Sequence, residues 1–249
     1  EDAGLYAITI GTLAISDGNG GNNYNLSFVS KNFEIKKRPA TWTTNPNSKT
    51  YGDPDPAPLT TGSGSNFLPA DGITATYARA AGQNASPPTY HITATLSATT
   101  GAKLNNYIVT NNGAEFTINK RNIEVTADAG QFKIYGDADP AFTYSITNGS
   151  LAFTDTFSGA LSRVAGEDAG LYAITIGTLA ISDGSGGNNY NLTFVSKNFE
   201  IKKRPATWTT NPNSKTYGDP DPSPLATGNG SNFLPADGVT ATYARVAGE

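Results

Sequence analysis

Rigid, oxygen-rich turns are the residues of this 249-residue chain best placed to do chemistry. Tyr51-Gly52-Asp53-Pro54-Asp55-Pro56 recurs as Tyr135-Gly136-Asp137-Ala138-Asp139-Pro140 and as Tyr217-Gly218-Asp219-Pro220-Asp221-Pro222. Each copy sets two carboxylates two residues apart. Hard cations such as Ca²⁺ take several oxygen ligands at roughly 2.3–2.6 Å. Asp53, Asp55, Asp137 and Asp139 are therefore calcium candidates, and Asp183 at the head of the Asp-Gly-Ser-Gly-Gly-Asn-Asn loop is a fifth. The plainer reading is turn chemistry, because Asp beside Pro or Gly favours turns. The full spacing of an EF-hand loop is missing, so the expectation is no resident metal and no cofactor.

Catalytic candidates are sparse. His91 is the single His, its aligned counterpart is Ala173, and the chain has no Cys. It therefore lacks the partner that nucleophilic or acid–base catalysis needs. Glu167-Asp168 could act as a carboxylate pair for glycoside cleavage, but the aligned positions hold Gln83-Asn84, as a solvated loop would. No catalytic residue is expected, and the chain does not read as an enzyme. Trp42 and Trp208 could be exposed platforms for sugar stacking. They align with Val125, on a strand face shared with Ala40 and Ile123, which favours core packing. Asn25, Asn84, Asn148, Asn191 and Asn229 open glycosylation-type triplets, which an Asn- and Ser-rich chain also produces by chance.

Composition narrows the class. Charged residues make up 15% of the chain and the net charge is -4, so the clustered basic surface that nucleic acid requires is absent. No apolar run approaches the roughly 18–20 residues of a membrane span. Gly, Pro, Asn, Ser and Thr separate short runs of Val, Ile, Phe and Tyr, a mixture suited to strands and turns. No signal peptide is visible, and the chain reads as an internal piece of something longer.

Repetition sets the organisation. Residues 1–83 match 167–249 at an offset of 166, differing only at positions 19, 27, 57, 60, 63, 73, 80 and 83. Inside this lies a weaker repeat: Arg38, Arg121 and Arg204 stand 83 residues apart, and the Tyr-Gly-Asp turns follow each. Two module types thus alternate. Residues 38–120 and 121–203 are complete modules, 1–37 is the back part of one, and 204–249 is the front part of another. The two end pieces total one module, so they belong to a longer continuous chain or complete each other between copies.

Within 121–203, Ile123, Val125 and Ala127 alternate with polar residues, as do Phe142, Tyr144 and Ile146, and Tyr190, Leu192 and Phe194. This is the period of half-buried strands. A long strand is predicted over 171–179, with Tyr172, Ile174 and Ile176 on one face, and one helical turn is allowed over 150–157. Six or seven short strands in 83 residues predict a mainly β fold of tandem small β-sandwich (immunoglobulin-like) modules in an elongated array. A β-grasp-like module with one short helix is the alternative. Asp168-Ala169-Gly170-Leu171-Tyr172-Ala173 further resembles a tyrosine corner. The joint Lys202-Lys203-Arg204-Pro205 is short, with one φ fixed by Pro.

The Tyr-Gly-Asp turns, Gly149-Ser150-Leu151, the run from Arg163 to Ile174, Asn189-Tyr190-Asn191-Leu192 and Phe199-Glu200-Ile201 together resemble the MBG-type (Tyr-Gly-X class) repeats of bacterial surface adhesins. The resemblance covers the whole chain. Module 38–120 departs from it with Gln83 and a Ser86-Pro87-Pro88 insertion. It implies a long secreted or surface-anchored bacterial protein and supplies no catalytic residue. The expected function is that of structural stalk repeats on the extracellular face, extending a distal binding region and partnered by neighbouring modules of the same chain. The alternative is that the repeats bind surface glycans by avidity.

Overall fold

The computed structural model describes residues 1–85 and 89–248, so the Ser86-Pro87-Pro88 insertion lies outside the described residues. The chain divides into two compact units, Glu1–Arg121 and Asn122–Glu249. It is built of strands and turns, and among the described residues its helical content is limited to three short 3-10 turns at Pro69–Asp71, Gly101–Asn106 and Pro235–Asp237.

The first unit opens with a two-stranded antiparallel ribbon of β1 (Gly4–Ala7) and β2 (Asn32–Ile35). Seven strands then form one module: β3 (Arg38–Thr44), β4 (Asn47–Thr50), β5 (Gly62–Ser65), β6 (Thr74–Arg79), β7 (Tyr90–Ser97), β8 (Tyr107–Asn111) and β9 (Ala114–Asn119). They make a three-stranded sheet in the order β5-β3-β8 and a four-stranded sheet in the order β4-β9-β7-β6. Two pairings are parallel: β3 with β8, Arg38 opposite Tyr107, and β4 with β9, Asn47 opposite Phe116. In each sheet a strand from the start of the module, β3 or β4, therefore lies parallel beside one from its end, β8 or β9.

The second unit repeats this plan. Its strands are β10 (Arg121–Ala127), β11 (Phe132–Ile134), β12 (Tyr144–Asn148), β13 (Thr156–Ser158), β14 (Ser162–Arg163), β15 (Gly170–Thr175), β16 (Ala180–Ser182), β17 (Tyr190–Val195) and β18 (Asn198–Lys202), followed by β19 (Thr207–Thr210) and β20 (Gly228–Ser231). The sheet orders are β12-β10-β17 and β11-β18-β15-β14, with two further ribbons, β13-β16 and β19-β20. β11 runs parallel to β18.

Alternation decides which side chains go inside. Ile123, Val125 and Ala127 project from one face of β10 and are fully buried, because successive strand residues point to opposite faces. Val125 and Ala127 from the three-stranded sheet meet Ile174, Phe199 and Ile201 from the four-stranded sheet in one apolar cluster, which makes the module a sandwich. Phe142 meets Phe199 edge-on at 5.2 Å, a geometry aromatic rings favour. In the first module Trp42 is buried on β3 beside Ala40, as its alignment with Val125 implies.

Two local expectations change. The strand predicted over 171–179 stops at Thr175 and resumes as β16. Gly177 has φ of +56° and is followed by a tight turn, so Ile176 lies partly exposed outside the core. The helical turn allowed over 150–157 does not form; that stretch leads through a turn into β13.

Burying a Phe is worth roughly 1.5–3 kcal/mol and truncating it leaves a cavity as well. Phe199→Ala is expected to destabilise the second unit by about 3–5 kcal/mol in urea denaturation. Leu171→Ala, at a position 66% exposed, should change stability by no more than about 0.5 kcal/mol.

Candidate functional site

Each of the first two Tyr-Gly-Asp turns carries two carboxylates, and these have separate partners. In the second unit Lys133 on β11 and Arg163 on β14 converge on Asp139, the second carboxylate. Lys133 Nζ lies 2.8 Å from Asp139 Oδ1, and Arg163 reaches both oxygens, Nε to Oδ2 at 2.6 Å and Nη2 to Oδ1 at 3.0 Å. Glu167 accepts from both cations. The Lys133 and Arg163 side chains are only 4% and 6% exposed, so their charges have left water and need these partners.

Arg163 does more than pair. Its guanidinium lies over the ring of Tyr172 at 5.2 Å and that of Phe199 at 5.5 Å. It also donates to the backbone carbonyls of Val164 and Gly166. Tyr172 in turn donates its hydroxyl to the Asp168 carbonyl at 2.8 Å, the tyrosine corner anticipated from the sequence. Gly166 has φ of +148°, and a Cβ there would come within 2.2 Å of the Tyr172 ring. A glycine is needed for the ring to lie down. Turn, arginine, corner and core thus form one bolt through the module.

The first unit holds the same bolt. Arg79 pairs through two hydrogen bonds with Asp55 and lies over Tyr90 and Phe116. Lys49 joins Asp55 at 2.9 Å, and its second partner is Gln83 instead of a glutamate. Residues 204–249 carry the set again, with Lys215 and Arg245 on Asp221. The Arg79 guanidinium, with Lys49 beside it, holds Asp55 down at about 2. Arg163 and then Lys133 lower Asp139, and Lys133 and then Arg163 lower Glu167.

The first carboxylate of the first two turns faces the arginine that opens the following module. Arg121 donates to the Tyr51 carbonyl and to Asp53 Oδ1, both at 2.9 Å. Arg204 donates to the Tyr135 carbonyl at 2.7 Å and pairs with Asp137. In the second unit the joint gains a further contact, as the Tyr135 hydroxyl donates to Asp237 at 2.9 Å. A cleft of about 280 Å³ lies there, lined by Tyr135, Arg204, Phe233, Leu234 and Asp237 among others.

Four of the calcium candidates, Asp53, Asp55, Asp137 and Asp139, therefore face Lys or Arg. The fifth, Asp183, loses solvation by burial, yet three backbone N–H donors (Gly187, Asn189 and Ser185) pull its carboxyl down. Among the described residues no group of three His, Cys, Asp or Glu gathers as a metal site would require. The Trp42 indole is buried, and that of Trp208 donates to the Tyr243 hydroxyl at 2.9 Å. The lysines and arginines of the bolt were not singled out from sequence. The available signal is a fixed interval: Asp55 to Arg79, Asp139 to Arg163 and Asp221 to Arg245 are each 24 residues.

This arrangement defines a sandwich repeat locked by a Lys–Asp–Arg set under a Tyr-Gly-Asp turn. The model of the MBG domain (YGX type) family matches residues 40–117 and 123–200, and the chain belongs to that family. No curated protein and no solved structure matches the chain.

The depressed carboxyls set the acid response. An unfolded Asp titrates near 3.9, so the stability that Asp55 lends is complete above about pH 4 and is lost as pH falls toward about 2, and the lowered Asp139 carboxyl acts in the same direction. Melting followed from pH 6 to pH 2 should show that loss, and Arg163→Lys, which gives up the second hydrogen bond and the stacked plane, should cost about 2 kcal/mol at neutral pH. Chelation by EDTA should leave the melting temperature unchanged, since a bound ion would otherwise raise it.

Proposed function

We propose that these modules are structural stalk repeats of a long bacterial surface or secreted protein, extending a distal binding region from the cell, with no enzymatic activity and no resident metal. The observation that carries the reading is the joint. The residue that opens a module, Arg204, is fixed by two contacts to the Tyr-Gly-Asp turn of the module before it. A linker of a few residues tied at its midpoint transmits position along the chain, where a free linker would let modules turn independently. Near-identity of residues 1–83 and 167–249 supports duplication that adds length. Among the described residues no helix is long and apolar enough to cross a membrane.

The glycan-binding alternative draws on the two tryptophans as stacking platforms, and the burial of Trp42 weighs against it. Two measurements test the reading. Arg204→Ala should loosen the joint and speed tryptic cleavage after Lys202 and Lys203 several-fold while residues 121–203 stay folded. On a glycan array the chain should bind nothing. Unchanged cleavage would remove the joint as support, and a saturable glycan signal would favour the alternative.

A further inference from the structure

The opposite seam of the joint appears in the first unit, where residues 1–37 meet module 38–120. Asn106, at the end of the 3-10 turn Gly101–Asn106, grips the Asp2-Ala3 dipeptide from two sides. Its Nδ2 donates to Asp2 Oδ1 at 2.8 Å, and its Oδ1 accepts the Ala3 backbone N–H at 2.8 Å. Lys103, from the same turn, adds an ion pair to the same carboxylate at 3.1 Å. The Asn106 hydrogen bond and then Lys103 hold the Asp2 carboxyl below its ordinary range.

The repeat alignment shows that these groups do not vary independently. Asn106 corresponds to Asn189, so the gripping amide belongs to both module types. Asp2 corresponds to Asp168, but module 38–120 has Asn84 at that place. Lys103 corresponds to Gly186 in module 121–203. The module type that receives with a lysine thus presents a neutral amide, and the type that presents a carboxylate receives with a glycine. Acid and base meet only when a module of the 121–203 type precedes one of the 38–120 type.

We propose that the turn Gly101–Asn106 is a docking surface for the Asp-Ala segment of a preceding 121–203-type module, in which Asn106 supplies a grip common to both types and the Asp2–Lys103 pair encodes module order. An amide in place of the carboxylate removes the ion-pair partner of Lys103 and brings an N–H donor toward an ammonium. The preference is modest at one joint, because the Lys103 and Asp2 side chains are 35% and 60% exposed and such pairs are screened by salt. Repetition along an array applies the same bias at every second joint. The inference concerns how modules choose neighbours and stands whether the array is a stalk or a glycan binder.

The test is hydrogen exchange at the Ala3 amide of the whole chain by NMR, normalised to the unfolded-chain rate, with the core amide of Ile92 as the check on folding. In low salt Asp2→Asn should quicken Ala3 exchange several-fold, and in about 1 M salt, where the screening length is about 3 Å, the difference should shrink. In a Lys103→Gly background Asp2→Asn should have no such effect. Asp2→Lys should loosen the contact, and Asp2→Lys with Lys103→Asp should restore it. An equal effect of Asp2→Asn with and without Lys103, or an effect insensitive to salt, would overturn the order code. An unprotected Ala3 amide in the unaltered chain would overturn the grip itself.

Discussion

Everything in these modules is arranged around one desolvated guanidinium. Arg163 stands where the Tyr-Gly-Asp turn, the tyrosine corner and the apolar core converge, and it touches all three. A cation with 6% of its side chain exposed is costly to bury. It is tolerated because its planar fork matches the Asp139 carboxylate, its remaining donors meet backbone carbonyls, and its faces lie against aromatic rings. A sandwich of this size, without disulfides, gains from such a group what its limited apolar core cannot supply: a fixed position for loops that carry little burial of their own.

The two aspartates of each turn divide the labour of folding and assembly. The inner one, Asp55 or Asp139, closes its own module through Lys and Arg. The outer one, Asp53 or Asp137, accepts the arginine that starts the module after it. Folding of the turn and capture of the onward chain are therefore coupled, since the backbone that orients one carboxylate also orients the other. In this light the Pro residues around the turn, at positions 54 and 56 and at 140, act by limiting the conformations the turn can take before its partners arrive.

Much of this was legible in the residues. Strand alternation located Ile123, Val125 and Ala127 inside, and Trp42 with them, because burial follows a period of two wherever a sheet has a dry face. The corner at Tyr172 was readable from Asp168-Ala169-Gly170-Leu171-Tyr172, since its bond is local in sequence. Three features were not. The parallel pairing of β4 with β9 joins residues some 69 positions apart, and periodicity carries no information about strand direction. Paired aspartates looked like cation ligands because their partners, Lys49 and Arg79 or Lys133 and Arg163, approach from other elements of the fold. The break at Gly177 was hidden for the opposite reason: a single left-handed residue interrupts an apolar run that otherwise reads as continuous.

The parallel pairing of the two opening strands with the two closing ones has a mechanical consequence. The chain enters module 38–120 at the start of β3 and leaves it at the end of β9. Pulling on the two ends would slide β3 along β8 and β4 along β9, since each pair runs in the same direction. Load then falls on a whole row of ladder hydrogen bonds in shear, where an antiparallel pair pulled from one end would unzip them in turn. The β11–β18 pair places the second module under the same geometry. The fold thus turns tension along the chain into the direction in which its sheets resist most.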